Sequence, residues 1–356
     1  MLYCIIMPGR MQSFKAAFIR TYKQCLPIHN QNIILRHPHT AVSALKSSES
    51  PDSASTTPFS TSSPSSTSSS EGMTDIQPLV HKCEGLCAVH KPIDWTSQDV
   101  VSYIRGMLER DARNRGVTLA KRSRRKSKKK IKVGHGGTLD PLAEGVLVLG
   151  IGSGTKVLKD YLSGAKAYQA KGKFGFETTT LDLEGNVTKT ADFDHITHES
   201  VENSCTKFTG KIMQIPPVFS AIRKNGKRLY EHAREGKSAD DVEIDPREVE
   251  VHELIYSPDK EEGLPSFELF IKCGGGTYIR SLIRDIGYDL DSVATMTKLI
   301  RTQQGPFTLD DAMQREDWSA DTIYAAVERN NQRLAAYGQE IDDGIVEGKS
   351  EKNHDA

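Results

Sequence analysis

The pattern of apolar and polar positions predicts several strands from about residue 79 onward. Gly85 to Val89 is mostly apolar and ends at His90-Lys91-Pro92, as is typical of a short strand. Val146 to Ile151 is a continuous apolar run, which suits a buried strand. Apolar residues alternate with polar ones in 168–174 and in 267–273, as they do in half-buried strands.

Apolar residues at helical spacing predict helices between these strands. Thr96 and Asp99 indicate a helix start, and an apolar stripe follows it: Val100, Val101, Ile104, Met107 and Leu108. A second stripe, from Ile279 to Leu290, follows glycines 274–276; a short helix is predicted at 155–162, and a last helical stretch follows Leu309. Because the elements mix without a strict βαβ rhythm, the sequence predicts the α+β class.

Composition divides the rest of the chain. Residues 1–48 carry basic side chains and no Asp or Glu, as is typical of a mitochondrial targeting leader, and a disordered tail that merely lacks acids is an equal alternative. Residues 49–78 are rich in Ser, Thr and Pro and bury too little apolar surface to fold, so we predict a disordered linker. The catalytic domain is expected at 79–330, and the polar tail at 331–356 is expected to be disordered.

Charge is concentrated rather than uniform. The formal net charge is zero, but residues 121–132, called the basic run here, are almost all Lys and Arg. The basic run predicts an insertion loop that contacts phosphates or directs nuclear import, with a solvated loop as the alternative. Together with the leader it indicates mitochondrion, nucleus or both, and Met11 or Met73 offers an alternative start.

Two further features of composition limit the function classes. No apolar run reaches the roughly 18 residues of a membrane-spanning helix, so a protein without membrane partners is expected. The six cysteines have neither a pairing rhythm nor zinc spacing, so we expect reduced thiols and no metal.

The most unusual segment is 134–145, called the glycine loop here, which reads Gly-His-Gly-Gly-Thr-Leu-Asp-Pro-Leu-Ala-Glu-Gly. Its glycines allow close backbone approach and positive φ angles. From the residues alone, Asp140 before Pro141 is best interpreted as a helix N-cap, with a catalytic carboxylate as the alternative.

Two other glycine-rich segments are candidates for binding phosphate or another anion. Residues 150–156 lack the Gly-Lys-Ser/Thr order of a phosphate-binding loop, because Thr155 precedes Lys156. Tyr278 and Arg280 follow glycines 274–276 at a predicted helix start, where anions are favoured. A plain turn with Tyr278 packed in the core is the alternative.

Taken together, these segments resemble the TruB family of tRNA pseudouridine synthases from about Gly85 to Leu309. The ordered motifs are the following: Lys91-Pro92, the glycine loop, Lys166-Ala167-Tyr168, 210–227 with Pro216 and Ser220-Ala221, Gly276–Arg280, and Leu299-Ile300-Arg301. Residues 134–140 and 301–307 are most similar to the eukaryotic branch, which modifies uridine 55 in the T-arm of tRNA. The resemblance implies the pseudouridine synthase fold, with a mixed, mainly antiparallel central sheet flanked by helices and no C-terminal PUA module.

The resemblance also implies catalytic roles. Asp140 would be the nucleophile, and an ordinary aspartate, with a pKa of roughly 3.9, needs no general base at neutral pH. Arg280 would pair with it through its guanidinium. Tyr168 would lie against the target base and help to remove the ring proton, and Tyr278 would be a second aromatic near the base.

Further residues are implied to bind substrate. Leu299 would contact the uracil ring from below, and His135 would fill the space left in the RNA when the base flips. Asp182 corresponds to an acidic residue near the site, and Lys91 lies in a segment that shapes it. From the basic run we expect phosphate contacts by Lys128, Lys129, Lys130 and Lys132.

The expected substrate is the T-arm stem-loop of tRNA, with similar hairpins in messenger RNA as a further class. No cofactor, metal or obligate protein partner is expected, and the chain is expected to be a monomer. Two departures from the family pattern affect RNA contacts rather than bond making: Ala167 replaces a frequent arginine, and Thr179 a frequent aspartate. The alternative function is an RNA-binding or tRNA-folding protein that depends little on catalysis; the presence of all four catalytic residues favours the enzyme.

Overall fold

The computed structural model describes residues 83–117, 131–224, 226–236 and 239–342. The strands are β1 Gly85–Lys91, β2 Val133–His135, β3 Ala143–Ile151, β4 Lys166–Phe174, β5 Phe176–Thr178, β6 Val187–Thr190, β7 Gly210–Gln214, β8 Arg223–Lys224, β9 Lys227–Arg228, β10 Arg247–Pro258, β11 Ser266–Cys273, β12 Ala294–Gln304, β13 Phe307–Thr308 and β14 Ala312–Met313.

The helices are α1 Ser97–Asn114, α2 Leu158–Ser163, α3 His198–Lys207, α4 Leu229–Arg234, α5 Ala239–Val242, α6 Ile279–Asp289 and α7 Ala320–Asp342. Short 3₁₀ helices lie at Gly152–Lys156, Leu309–Asp311 and Arg315–Asp317.

One large sheet organises the described residues. Its strand order is β14-β1-β3-β12-β4-β11-β10-β7, with β2 paired to β3 and β13 paired to β12. The pairs β1/β14 and β3/β12 are parallel, and the other pairs are antiparallel. The sheet is therefore mixed and mainly antiparallel, and the predicted α+β class is confirmed.

Helices cover the sheet through apolar side chains. One core cluster joins α6 to the central strands through residues such as Leu282, Ile286 and Leu269. A second cluster joins α1 and α7 to β1 and β3, with Ile104 and Ile323 fully buried. Each such side chain contributes about 1.5–3 kcal/mol when it leaves water, so the two clusters hold these helices against the sheet.

Several local predictions are confirmed. Thr96 and Asp99 form a reciprocal capping box at the start of α1, and Ile279 begins α6 directly after the predicted glycine break. The predicted tail is wrong in part, because α7 continues past residue 330 to Asp342. The predicted leader, the linker and residues 121–130 of the basic run lie outside the described residues. None of the described helices is long and apolar enough to span a bilayer.

Candidate active site

The glycine loop connects β2 to β3 and carries Asp140 at a tight turn. The Ala143 amide donates to the Asp140 carbonyl at 3.1 Å, and β3 begins at Ala143. The N-cap interpretation of Asp140 is therefore wrong: Pro141 enters a turn and then a strand, and no helix follows for the aspartate to cap.

Side chains and backbone from the N-terminal part of the domain hold the loop in place. The Ser97 hydroxyl accepts from the Leu139 amide at 2.8 Å and donates to the Leu139 carbonyl at 3.1 Å. The Pro141 carbonyl accepts from the Lys91 ammonium at 3.2 Å and from the Asp94 amide at 3.0 Å. Asp140 thus lies between two anchored neighbours, which limits the motion of its carboxylate.

Arg280 forms an ion pair with Asp140. Its Nη2 lies 2.8 Å from Asp140 Oδ2, and only 5% of the arginine side chain is exposed against 35% of the aspartate side chain. The same guanidinium donates to the Thr180 carbonyl at 2.6 Å and to the Phe219 carbonyl at 2.9 Å. A guanidinium with three directed partners has a fixed orientation, so it holds one side of the carboxylate and leaves the other accessible.

Asp182 is buried next to Arg280 rather than exposed at the surface. Its Oδ2 is 3.7 Å from Arg280 Nη1, and its Oδ1 accepts from the Thr180 hydroxyl at 2.5 Å and the Glu184 amide at 3.1 Å. The residue is only 3% exposed. The expected role of Asp182 as a direct substrate contact is therefore corrected to support of Arg280 from within the protein.

Tyr168 and Leu299 contribute to the apolar side of the site. Tyr168 lies on β4, Leu299 lies on the neighbouring β12, and both belong to the core cluster that includes Leu139. Burial raises the pKa of Tyr168 to about 12, and the nearby Arg301 guanidinium opposes this rise. Tyr168 is therefore a neutral phenol at neutral pH.

Tyr278 precedes the first residue of α6 and is held by its backbone. Its amide donates to Gln214 Oε1 at 2.9 Å, and its carbonyl accepts from Gln214 Nε2 at 3.1 Å. Its half-buried side chain has a raised pKa, first because of burial and also because of the charge of Asp140. The structure thus brings together the four residues that were predicted to be catalytic.

Comparison with known proteins identifies the family of the chain. Residues 124–279 match the N-terminal domain of TruB family pseudouridylate synthases. Pseudouridylate synthase TRUB1 of Homo sapiens is 44% identical over 246 residues, which cover 68% of each chain. The Mus musculus protein of the same name is 45% identical over 250 residues, 69% of this chain and 70% of that protein. The chain belongs to the TruB family of pseudouridylate synthases.

A bacterial relative extends the comparison. The tRNA pseudouridine synthase B of Microcystis aeruginosa is 40% identical over 232 residues, 65% of this chain and 71% of that protein. The chain is accordingly an RNA pseudouridine synthase, an isomerase, and the family resemblance predicted from its motifs is confirmed.

Lys91 of the synthase lies inside the protein. It is fully buried, and its ammonium donates to the carbonyls of Pro92 at 2.8 Å, Trp95 at 2.5 Å and Pro141 at 3.2 Å. Burial lowers its pKa to about 8, although the charge of Asp140 partly offsets the effect. Its expected contribution to substrate binding is therefore corrected to that of an anchor for the glycine loop.

The remaining predicted contacts lie nearer the surface. His135 ends β2 with a half-buried ring, and burial lowers its pKa, so the ring is neutral at pH 7. Lys132 is exposed beside β2. Lys128, Lys129 and Lys130 lie outside the described residues. Within the described residues, no group of three or more His, Cys, Asp or Glu side chains could hold a metal ion.

Two buried polar residues of β12, to which the sequence alone assigned no role in the site, hold the glycine loop. Gln304 donates from Nε2 to the Gly136 carbonyl at 2.8 Å and accepts at Oε1 from the Val148 amide at 3.0 Å. Arg301 donates to other carbonyls of the same loop. Their family motif was recognised, but an arginine and a glutamine are usually exposed, so no site role was assigned to them.

Proposed function

We propose that this synthase converts uridine 55 in the T-arm of tRNA to pseudouridine, with Asp140 as the nucleophile. One observation carries the proposal: Asp140 presents a partly exposed carboxylate that the buried Arg280 guanidinium holds at 2.8 Å. The choice of uridine 55 is supported by the likeness of residues 134–140 and 301–307 to the eukaryotic branch. Similar hairpins in messenger RNA are a second proposed substrate class.

The proposed reaction requires the uridine to leave the RNA stack. Flipping costs a few kcal/mol, and the Tyr168 ring, the Leu299 side chain and the Tyr278 ring would replace the lost stacking contacts. His135 would fill the space that the base leaves in the RNA.

The proposed chemistry is an isomerisation and needs no external oxidant or reductant. Asp140 forms a covalent bond to the nucleoside, the glycosidic C–N bond breaks, and the freed uracil turns. A C–C bond then joins the ring to the ribose, and the bond to Asp140 breaks, which returns the carboxylate. The ring carbon then loses its proton, with the Tyr168 phenol as the group that would assist, and the ring nitrogen that was bonded to the sugar gains one. As a carboxylate paired with Arg280, Asp140 requires no separate general base for the attack.

The first experiment measures pseudouridine in an unmodified T-arm hairpin incubated with the full-length protein, without added metal or nucleotide. The Asp140→Asn variant keeps the shape of the side chain but loses its charge. Glu144→Gln is the matched control, because Glu144 is a neighbouring carboxylate that pairs with Lys298 at 3.5 Å instead of with Arg280. A hairpin with cytidine at the target position controls for site choice.

Product with the wild type and with Glu144→Gln, but none with Asp140→Asn, would support the proposal. Product formed by Asp140→Asn would exclude this carboxylate as the nucleophile. Tight hairpin binding without product in the wild type would favour the RNA-binding alternative.

Cellular location is a further proposal. The acid-free leader supports mitochondrial import, and the basic run supports nuclear import. Fluorescent fusions that start at Met1 and at Met73 test both: the longer form is expected in mitochondria and the shorter form in the nucleus. A mitochondrial signal from the Met73 form would contradict the role of the leader.

A further inference from the structure

Arg301 is a buried cation next to the site. It lies on β12 and is only 1% exposed, and among the described residues it is the largest of the fully buried side chains. Its guanidinium donates to the Val146 carbonyl at 2.7 Å, the Gly137 carbonyl at 3.2 Å and the Thr138 carbonyl at 3.4 Å. Within the described residues it forms no ion pair. Burying a charge without a counter-ion is costly, so a purely structural role could be filled more cheaply by an uncharged residue.

The carbonyls that Arg301 binds lie on both sides of the proposed nucleophile, Asp140, in the sequence. Gly137 and Thr138 precede Asp140 in the glycine loop, and Val146 lies on β3 just after it. One planar group therefore ties the two sides of the Asp140 turn together. A guanidinium suits this task because its donors point in several fixed directions, whereas an ammonium is a compact point charge.

The same residue faces the catalytic tyrosine across the sheet. Arg301 and Tyr168 are directly opposite in the antiparallel register of β12 and β4. Directly opposite side chains lie on one face of the sheet, with Cβ atoms roughly 5 Å apart. Arg301 thus touches the loop of the nucleophile and stands beside the phenol that would contact the base.

We propose that Arg301 is a positioning residue for pseudouridine formation: its guanidinium fixes the glycine loop that carries Asp140 and sets the place of the Tyr168 phenol. The inference rests on the proposed function of Asp140 and goes beyond it. It assigns the alignment of both groups to a side chain that does not touch substrate.

Two substitutions separate the charge of Arg301 from its geometry. Arg301→Lys keeps the positive charge but loses the planar guanidinium with its several fixed donors. Arg301→Gln loses the charge and keeps one amide donor on a shorter side chain. Since a misplacement of about 1 Å can cost about 100-fold in rate, we expect a roughly 100-fold loss for Arg301→Gln and a roughly 10-fold loss for Arg301→Lys.

The measurement separates alignment from binding. Single-turnover rates with saturating enzyme report how well Asp140 and Tyr168 are aligned with the bound base. Fluorescence anisotropy of the labelled hairpin reports affinity, which should change less than about threefold in both Arg301 variants. Arg284→Gln is the matched control, because Arg284 is also largely buried and donates to a backbone carbonyl, that of Ile215, at 3.1 Å. The control should keep the wild-type rate.

Rates of Arg301→Gln within about threefold of the wild type would overturn the proposal. So would an equal loss in Arg284→Gln, because the loss would then follow from general destabilisation. If Arg301→Gln does not fold, Arg301→Lys decides: a wild-type rate overturns the proposal, and a slower rate at unchanged affinity supports it.

Hydrogen exchange provides a readout that needs no substrate. In Arg301→Lys, the amides of residues 137–140 should exchange faster than in the wild type while those of α6 stay protected. Unchanged exchange in the loop would overturn the proposal. Because this measurement involves no RNA, it remains informative if the T-arm hairpin proves to be the wrong substrate. It therefore distinguishes failure of the proposed role of Arg301 from failure of the proposed function.

Discussion

Replacing Asp182 with asparagine should slow the reaction far more than it weakens RNA binding. In the structure Asp182 is buried behind Arg280, whose guanidinium holds Asp140 on its other side. Asparagine keeps the shape and one carbonyl oxygen, which can still accept from the Thr180 hydroxyl and the Glu184 amide. The substitution therefore removes mainly the negative charge next to Arg280.

The magnitude follows from the 3.7 Å distance between Asp182 Oδ2 and Arg280 Nη1. Two unit charges at that distance attract by about 4 kcal/mol at an effective dielectric constant of about 20. The variant no longer has to bury a carboxylate, which offsets part of this loss, and we expect a net loss of about 2 kcal/mol. If the less firmly held Arg280 also stabilises Asp140 in the transition state by about 2 kcal/mol less than before, the rate drops about 30-fold.

The assay compares Asp182→Asn with Asp259→Asn. Asp259 is a matched control, because it is also buried, pairs with Lys171 at 2.9 Å and accepts from two backbone amides. Urea unfolding should show a loss of stability of about 2 kcal/mol in both variants. Only Asp182→Asn should lower the single-turnover rate at saturating enzyme.

One result would refute this reasoning. If Asp182→Asn weakens hairpin binding while the rate at saturation stays at the wild-type value, Asp182 contacts RNA after all. Arg280 would then be oriented by its backbone carbonyl partners alone.

Three further predictions follow from the same structure. Lys91→Met removes the ammonium donor of the Pro92 and Trp95 carbonyls and one of the two donors of the Pro141 carbonyl. It should destabilise the fold by about 2–4 kcal/mol in urea unfolding; an unchanged midpoint would mean that water satisfies those carbonyls. Burial raises the pKa of Tyr168 to about 12 from 10.0, so this phenol should not ionise at pH 10. The near-ultraviolet titration of Tyr168→Phe, subtracted from that of the wild type, isolates its signal. Phenolate at pH 10 in that difference would mean that the phenol is solvated. Deleting residues 121–130 should weaken hairpin binding and flatten its dependence on salt, because fewer counterions are released; an unchanged salt dependence would exclude phosphate contacts by the basic run.

Local signals in the sequence were sufficient where the structure depends on neighbours along the chain. The Thr96 and Asp99 capping box needs only residues three apart, and it forms as predicted. Alternation in 168–174 likewise predicted β4, because one face of that strand is buried along its whole length. The proposed catalytic residues, by contrast, came from the family resemblance, since Asp140 taken alone favoured a helix cap.

The strand β12 escaped prediction for a physical reason. Its pairing with β4 shifts register between Met296 and Lys298 and again between Arg301 and Gln303. Each irregularity inserts an extra residue and reverses which side chains face the core. The simple alternation that identifies a strand is therefore interrupted twice, although β12 lies in the middle of the sheet.

The turn at Asp140 was misinterpreted because long-range partners decide its conformation. The neighbouring Pro141 carbonyl is bonded to Lys91, 50 positions away in the sequence, and the loop is also bonded to β12. No local pattern reports such partners, and a buried arginine such as Arg301 contradicts the ordinary preference of its residue type.

The central place of β12 between β3 and β4 has a consequence for synthesis of the protein. Arg301 donates to the Val146 carbonyl across 155 positions of sequence. The glycine loop and the arginine that holds it therefore leave the ribosome far apart in time. Contacts of such long sequence separation form slowly, since loop closure must precede them. A nascent chain whose β12 has not yet been synthesised would carry Asp140 and Tyr168, with neither in the position that the proposed reaction requires. The enzyme should therefore acquire activity in one late step, when β12 inserts between strands that were made long before it.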